Sequence, residues 1–113
     1  MSVSQTAADK SLVQEFYDQV FTRGDASNLD RFMRDDYIQH NPICADGKAG
    51  FPAPGPQIEI IRLNGEDDMA YVLFKVDKVC DIYRLQDGQL AEHRDIIEHN
   101  VEDIPPRNSN GIF

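Results

Sequence analysis

Between Asp81 and Glu98 the chain reads Asp-Ile-Tyr-Arg-Leu-Gln-Asp-Gly-Gln-Leu-Ala-Glu-His-Arg-Asp-Ile-Ile-Glu, two β-type runs joined at Gln86-Asp87-Gly88. Asp tolerates the bridge conformation and Gly the left-handed one, so the join predicts a type I turn closed by a bulge. In that register Leu85 pairs with Gln89, Tyr83 faces Ala91, Asp81 faces His93, and Val79 faces Asp95. Residues two apart on a strand share a face, about 6.5–7 Å from one another. Asp81, His93 and Asp95 therefore gather on one side, beside Tyr83, Ala91 and Ile97. A plain two-residue turn would slip the pairing by one and send Asp81 to the opposite face. His93 and Asp95 would stay together, because they share a strand. A hairpin that served only solubility would be polar along its whole face; this one mixes acids, a histidine and apolar residues.

The rest of the chain must cover that hairpin. Leu12, Val13, Phe16, Tyr17, Val20 and Phe21 recur at helical spacing and predict a helix over Ala8–Arg23 with one apolar stripe, stopped by Gly24. Asp25 or Asn28 can cap a second, shorter helix carrying Leu29, Phe32 and Met33. Tyr37–Pro42 reads as a short extended piece ended by proline. Gly47 to Pro56 is rich in Gly and Pro and admits no helix longer than a turn. Gln57–Leu63 is β-type with Asn64-Gly65 as its turn, and Met69–Val76 is a strongly apolar strand. Val79–Leu85 and Leu90–Glu98 follow, then a polar tail broken at Pro105-Pro106. Two helices followed by three or four antiparallel strands make an α+β domain. A curved sheet around the first helix would leave a cavity lined by the face that carries Asp95.

A chain of 113 residues suffices for one domain, residues 1–113, with no repeats. Acidic residues outnumber basic ones 20 to 11, for a net charge of −9, which argues against nucleic acid and anionic membranes as partners. The opening Met-Ser-Val-Ser-Gln-Thr has neither a basic nor an apolar leader segment, and no apolar run is long enough for a membrane span. Cys44 and Cys80 stand far apart without partner motifs and read as reduced thiols, so a cytoplasmic location is expected.

Phe21-Thr22-Arg23-Gly24-Asp25, Tyr37-Ile38-Gln39-His40-Asn41-Pro42 and Asp46-Gly47-Lys48-Ala49-Gly50-Phe51 together resemble SnoaL-like proteins. So do Asp81-Ile82-Tyr83-Arg84, Asp87-Gly88, Glu92-His93-Arg94-Asp95 and Asn110-Gly111-Ile112-Phe113. These proteins are the polyketide-cyclase-like branch of the nuclear-transport-factor-two-like fold. The resemblance implies a cone-like curved antiparallel sheet with helices on its concave face. It also implies aldol-type chemistry on a small hydrophobic molecule, without metal or organic cofactor, and pairing into a homodimer. The family's acid/base aspartate matches Asp95, its pocket histidine His40, and the strand residue facing the acid Asp81. Arg94 stands where relatives carry Trp, and Pro52, Pro54 and Pro56 replace the helix expected after Gly50-Phe51.

Aldol cyclisation needs a base to remove a proton beside a carbonyl and an acid to protonate the new oxygen, and one carboxylate in an apolar cavity can do both. Asp95 is the expected acid/base, with Asp81 beside it and His40 or His93 orienting it or donating to the oxyanion. Phe16, Tyr17, Tyr37, Asn41 and Tyr83 are the expected substrate-binding residues. His93-x-Asp95 with His40 or His99 also imitates a two-histidine-one-carboxylate iron site, but the resemblance implies none. A binding module that holds a ligand or partner in the same cone is the alternative. The convex face, offering Cys80, Ile82, Leu90 and Ile96, is the expected dimer surface.

Overall fold

Ser2 opens the first helix: its side chain accepts the Gln5 backbone N–H at 3.0 Å. In the computed structural model, which describes residues 2–42, 44–50, 58–74, 79–97 and 105–111, that helix, α1, spans Val3–Phe16. It begins five residues before the expected Ala8, because the cap lies upstream of the apolar stripe. From Tyr17 to Thr22 the coil widens to a π-helical turn, with Arg23 N–H donating to Asp18 O and Asp25 N–H to Gln19 O. Gly24, at φ +68°, then stops it as the sequence predicts. The stripe is the core: Val13, Phe16, Tyr17 and Val20 are buried, with Leu12 and Phe21 packed beside them.

The second helix, α2 (Leu29–Phe32), is a single turn. Met33, assigned to it from the sequence, instead begins strand β1 (Met33–Gln39). Strands β2 (Ile60–Glu66), β3 (Met69–Phe74), β4 (Val79–Gln86) and β5 (Gln89–Ile97) follow. They form one curved, unclosed sheet in the order β1-β5-β4-β3-β2. β2 to β5 are antiparallel as expected, while β1 joins the edge parallel to β5, so the sheet is mixed. Irregularities in β1, β2 and β5 break the ladders, and each extra residue adds twist that a curved sheet needs. α1 lies against β2, β3 and β5, the expected arrangement of an α+β cone.

Asn64-Gly65 is not a turn. β2 runs through it and reverses at Asp67-Asp68, where Asp67 takes φ +52°. A side chain at Gly65 would meet Lys10 Cγ at 2.8 Å, so this glycine serves the close crossing of α1 over β2. Thr6 fastens the same crossing by donating its hydroxyl to Asp67 O at 3.0 Å.

The β4–β5 hairpin turns in two residues, Asp87 at φ +54° and Gly88 at φ +74°, with Gln86 opposite Gln89. That is the type I′ geometry that an Asp-Gly pair favours. One residue of β5, Ala91, is then bulged out: Leu85 pairs with Leu90 but Arg84 with Glu92. The pairs beyond it are Tyr83 with His93, Asp81 with Asp95 and Val79 with Ile97. The register is thus two residues from the one the sequence predicts, and a shift of two keeps every side chain on its face. Leu90, expected on the convex face, is fully buried, because the bulge turns Leu90 and Ala91 both inward. The prolines at 52, 54 and 56, Asp77-Lys78, His99 and Ile112-Phe113 lie outside the described residues.

Candidate active site

Alternation along three adjacent strands builds the site. On β4, Val79, Asp81, Tyr83 and Leu85 point inward, while Cys80, Ile82 and Arg84 are half-buried on the other side. On β5, His93 and Asp95 share the inner face with Asp81. β1 adds the third row: its parallel pairing sets Gln39 beside His93, and His40 N–H donates to His93 O at 3.0 Å. The strand's period then brings Tyr37, Gln39 and Asn41 toward the cluster and sends Ile38 and His40 away from it.

Asp81 and His93 are each only 7 % exposed. His93 Nε2 lies 2.8 Å from Asp81 Oδ1, and its Nδ1 lies 2.6 Å from Gln39 Oε1. Gln39 Oε1 also accepts the Asn41 backbone N–H at 3.0 Å, so that atom is the acceptor and His93 Nδ1 carries a proton toward it. A second proton lies between Nε2 and Asp81 Oδ1, shared by an acid–base pair. Asp81 Oδ2 accepts the Tyr17 hydroxyl delivered by the π-helical turn, with the Tyr83 hydroxyl 3.5 Å away and 2.9 Å from that of Tyr17. Asp95 is half-buried and its Oδ2 accepts Asn41 Nδ2–H at 2.9 Å.

Burial, and after it the charge of Asp81, hold the Tyr17 and Tyr83 hydroxyls well above the ordinary tyrosine range, and Tyr37 is raised by the same two causes. These hydroxyls therefore remain donors at physiological pH. Cys44 is raised too, by burial first and then by Asp95 and Asp81, so it stays a thiol rather than a thiolate nucleophile. The site thus holds a carboxylate with one oxygen tied down, a shared proton within the same cluster, and two hydroxyl donors behind it.

No family model matches the chain, and no curated protein matches its sequence. Solved structures do match its fold. A protein of unknown function from Mesorhizobium loti, described as nuclear-transport-factor-two-like, superposes with a TM-score of 0.70 at 16 % identity, covering 87 % of this chain and 97 % of that one. The fold is nuclear-transport-factor-two-like. A candidate ketosteroid isomerase from Kribbella flavida (TM-score 0.69, 18 % identity, 90 % and 86 % covered) shares it. So does an epoxide hydrolase of M. tuberculosis (TM-score 0.63, 17 % identity, 82 % and 84 % covered).

Within this cone, Asp81, His93 and Asp95 come together as the sequence predicts, with Tyr17, Tyr83 and Asn41 bonded to them. Phe16 packs edge-on against Tyr17 and Tyr83 and forms their apolar backing. Tyr37 is buried near Asp81. His40 is not brought in. It lies exposed on the outer side of the sheet, with Nε2 on Glu92 and a guanidinium nitrogen of Arg94 at 3.1 Å, because it is one residue out of phase with Gln39. Gln39 is the residue the sequence reading missed. Its only signal is its place two residues before Asn41, and that becomes informative once β1 is known to flank β5.

Proposed function

We propose that this chain is a small cofactor-independent enzyme that performs acid–base chemistry of the cyclase, isomerase or hydrolase kind on a small hydrophobic carbonyl compound. One observation carries the reading: Asp95 stands directly opposite Asp81 with one carboxylate oxygen tied to Asn41. The oxygen not bonded to Asn41 serves as the base, taking the proton beside the substrate carbonyl. The proton shared by His93 and Asp81, or the Tyr17 hydroxyl, goes to the oxygen where negative charge develops. Phe16, Tyr37 and Tyr83 supply the apolar wall.

The binding-module alternative draws on a different observation, that Tyr17, Tyr83, Asp81, His93 and Gln39 already satisfy one another. The two readings part on one variant. Asp95→Asn keeps shape and removes the base. With ketones of graded size in D2O, the wild-type protein should exchange α-protons above the buffer rate, followed by NMR. The variant should lose that excess by about two orders of magnitude or more with its fold intact. Exchange equal in both proteins rejects the enzyme reading and leaves the binding module.

The same proposal includes a homodimer formed through the outer sheet face, where Ile96 is 66 % and Ile38 41 % exposed and Tyr71 is also uncovered. A monomer mass by light scattering at micromolar concentration would count against it. No helix among the described residues is long and apolar enough to cross a membrane. Cys44 and Cys80 are both free thiols, which agrees with a cytoplasmic setting.

A further inference from the structure

The cluster has a property that acid–base chemistry does not use. The His93 ring nitrogen and a carboxylate oxygen each of Asp81 and Asp95 all lie within 4.8 Å of one another. We propose that these three side chains form a binding site for one divalent first-row transition-metal ion, of which Zn2+ is the type.

The distances lie within reach of what such an ion needs. Zinc bonds to imidazole nitrogen and carboxylate oxygen are about 2.0–2.2 Å, so two donors on one tetrahedral ion stand roughly 3.3 to 3.6 Å apart. A set spread over as much as 4.8 Å must draw in by about 1 Å at its widest. The 2.8 Å gap between His93 Nε2 and Asp81 Oδ1 must open as an ion replaces the shared proton.

What separates this trio from an ordinary group of acids is the support behind each donor. A metal-binding imidazole gives its other N–H to an acceptor, and metal-binding carboxylates are themselves hydrogen-bonded. His93 Nδ1–H has Gln39 Oε1, which directs Nε2 at Asp81 and leaves it to an ion once the shared proton departs. Asp81 Oδ2 has the Tyr17 hydroxyl, and Asp95 Oδ2 has Asn41 Nδ2–H. In both carboxylates the oxygen held by these donors is Oδ2, while Oδ1 of Asp81 faces His93.

Charge points the same way. Asp81 and Asp95 are cross-strand partners, and like charges placed directly opposite repel. One proton offsets half of that charge, whereas a divalent ion offsets all of it in a place where Asp81 is almost fully withdrawn from water. One nitrogen and two oxygens select against Mg2+ and Ca2+, which prefer oxygen alone, and in favour of Zn2+, Co2+, Mn2+ or Fe2+. Three protein ligands would leave at least one position on the ion open to water.

This inference does not rest on the proposed reaction; protein stripped with a chelator tests the two separately, since acid–base exchange would survive stripping. The direct test is calorimetry of the stripped full-length chain with Zn2+, and the visible absorption of Co2+ as a second probe. The expected result is one Zn2+ per chain, with Mg2+ giving no comparable heat. Asp95→Asn removes a ligand at a half-buried position and should weaken Zn2+ by more than 100-fold, with the circular dichroism of the variant matching the wild type. Gln39→Leu, which touches no metal, should weaken it about 10- to 100-fold. Absence of stoichiometric Zn2+ binding, or equal binding by the wild type and Asp95→Asn, overturns the proposal; the second result would place the ion on the acidic surface instead.

Discussion

The β4–β5 hairpin carries the same residue types on its two faces and does opposite things with them. Outside, Glu92 is held by Arg84 Nε at 2.9 Å, by Arg94 at 3.3 Å and by His40, all with side chains in reach of water. Inside, Asp81 is held by His93 and Tyr17 with almost none. Carboxylates and a histidine occur in both places, so residue type alone does not mark the site. What differs is the dielectric. Each outer pair is screened and replaceable by water, while each inner group depends on one specific neighbour. Function is expected where removal of a partner cannot be repaired by solvent.

The largest effect should come from deleting matched histidines. His93→Ala leaves Asp81 buried with its ring partner gone, a loss that costs about 3 kcal/mol or more in buried pairs. His40→Ala removes an exposed partner of Glu92 and should cost less than about 0.5 kcal/mol. Urea unfolding of both variants measures the contrast. Equal costs would erase the distinction between the faces.

Next in size is Tyr17→Phe, which takes a hydroxyl from Asp81 Oδ2 and leaves it, among the described residues, the more distant Tyr83 hydroxyl at 3.5 Å. A hydrogen bond to a charged group contributes about 2 kcal/mol. The same residue gives a signature in alkali. Burial and the charge of Asp81 raise the folded-state tyrosine above its ordinary value of 10.0. A raised value means the fold favours the protonated form. Its contribution is complete below about pH 10 and is lost as pH climbs from there toward the folded value. Above pH 10 the wild type should lose about 1.4 kcal/mol per pH unit more steeply than the phenylalanine variant. Parallel slopes would mean that the hydroxyl is not held by the fold.

How much of this was readable beforehand follows from the same two faces. Which residues share a face depends on the two-residue period of a strand, and Asp81, His93 and Asp95 obey it whichever even register the hairpin takes. The register itself was not readable. A turn with its own bulge, and a type I′ turn with a separate bulge at Ala91, put the same residues inside but differ by two in pairing. Leu90 and Ala91 are both apolar, and only packing against the core decides which strand carries the extra residue. His40 was misplaced for a related reason. Its phase depends on how β1 lies against β5, a contact between segments about fifty residues apart that no local pattern contains. Asn64-Gly65 reads as a turn by propensity, but there the chain needs a residue without a side chain beneath α1, and tertiary packing overrides the local preference. The α1 stripe was legible because six apolar positions at helical spacing have a single way to be buried.

The smallest effect tests the outer face by itself. Hydrogen bonds from Arg84 first, and then His40, hold Glu92 below its ordinary value of 4.5. A lowered value means the fold favours the ionised form, so Glu92 stabilises the protein above about pH 4.5. That contribution fades as pH falls through the lower, folded-state value. Glu92→Gln should therefore cost less than about 1 kcal/mol at pH 7, a cost that shrinks in 1 M salt and vanishes in acid. The inner pair must behave differently, because salt does not reach it: the cost of His93→Ala should be nearly the same in 1 M salt as in dilute buffer. Denaturant curves for the two variants at low and high salt decide it. If both costs fall together, water reaches Asp81 as easily as Glu92, and the inner face is only a second solvated surface.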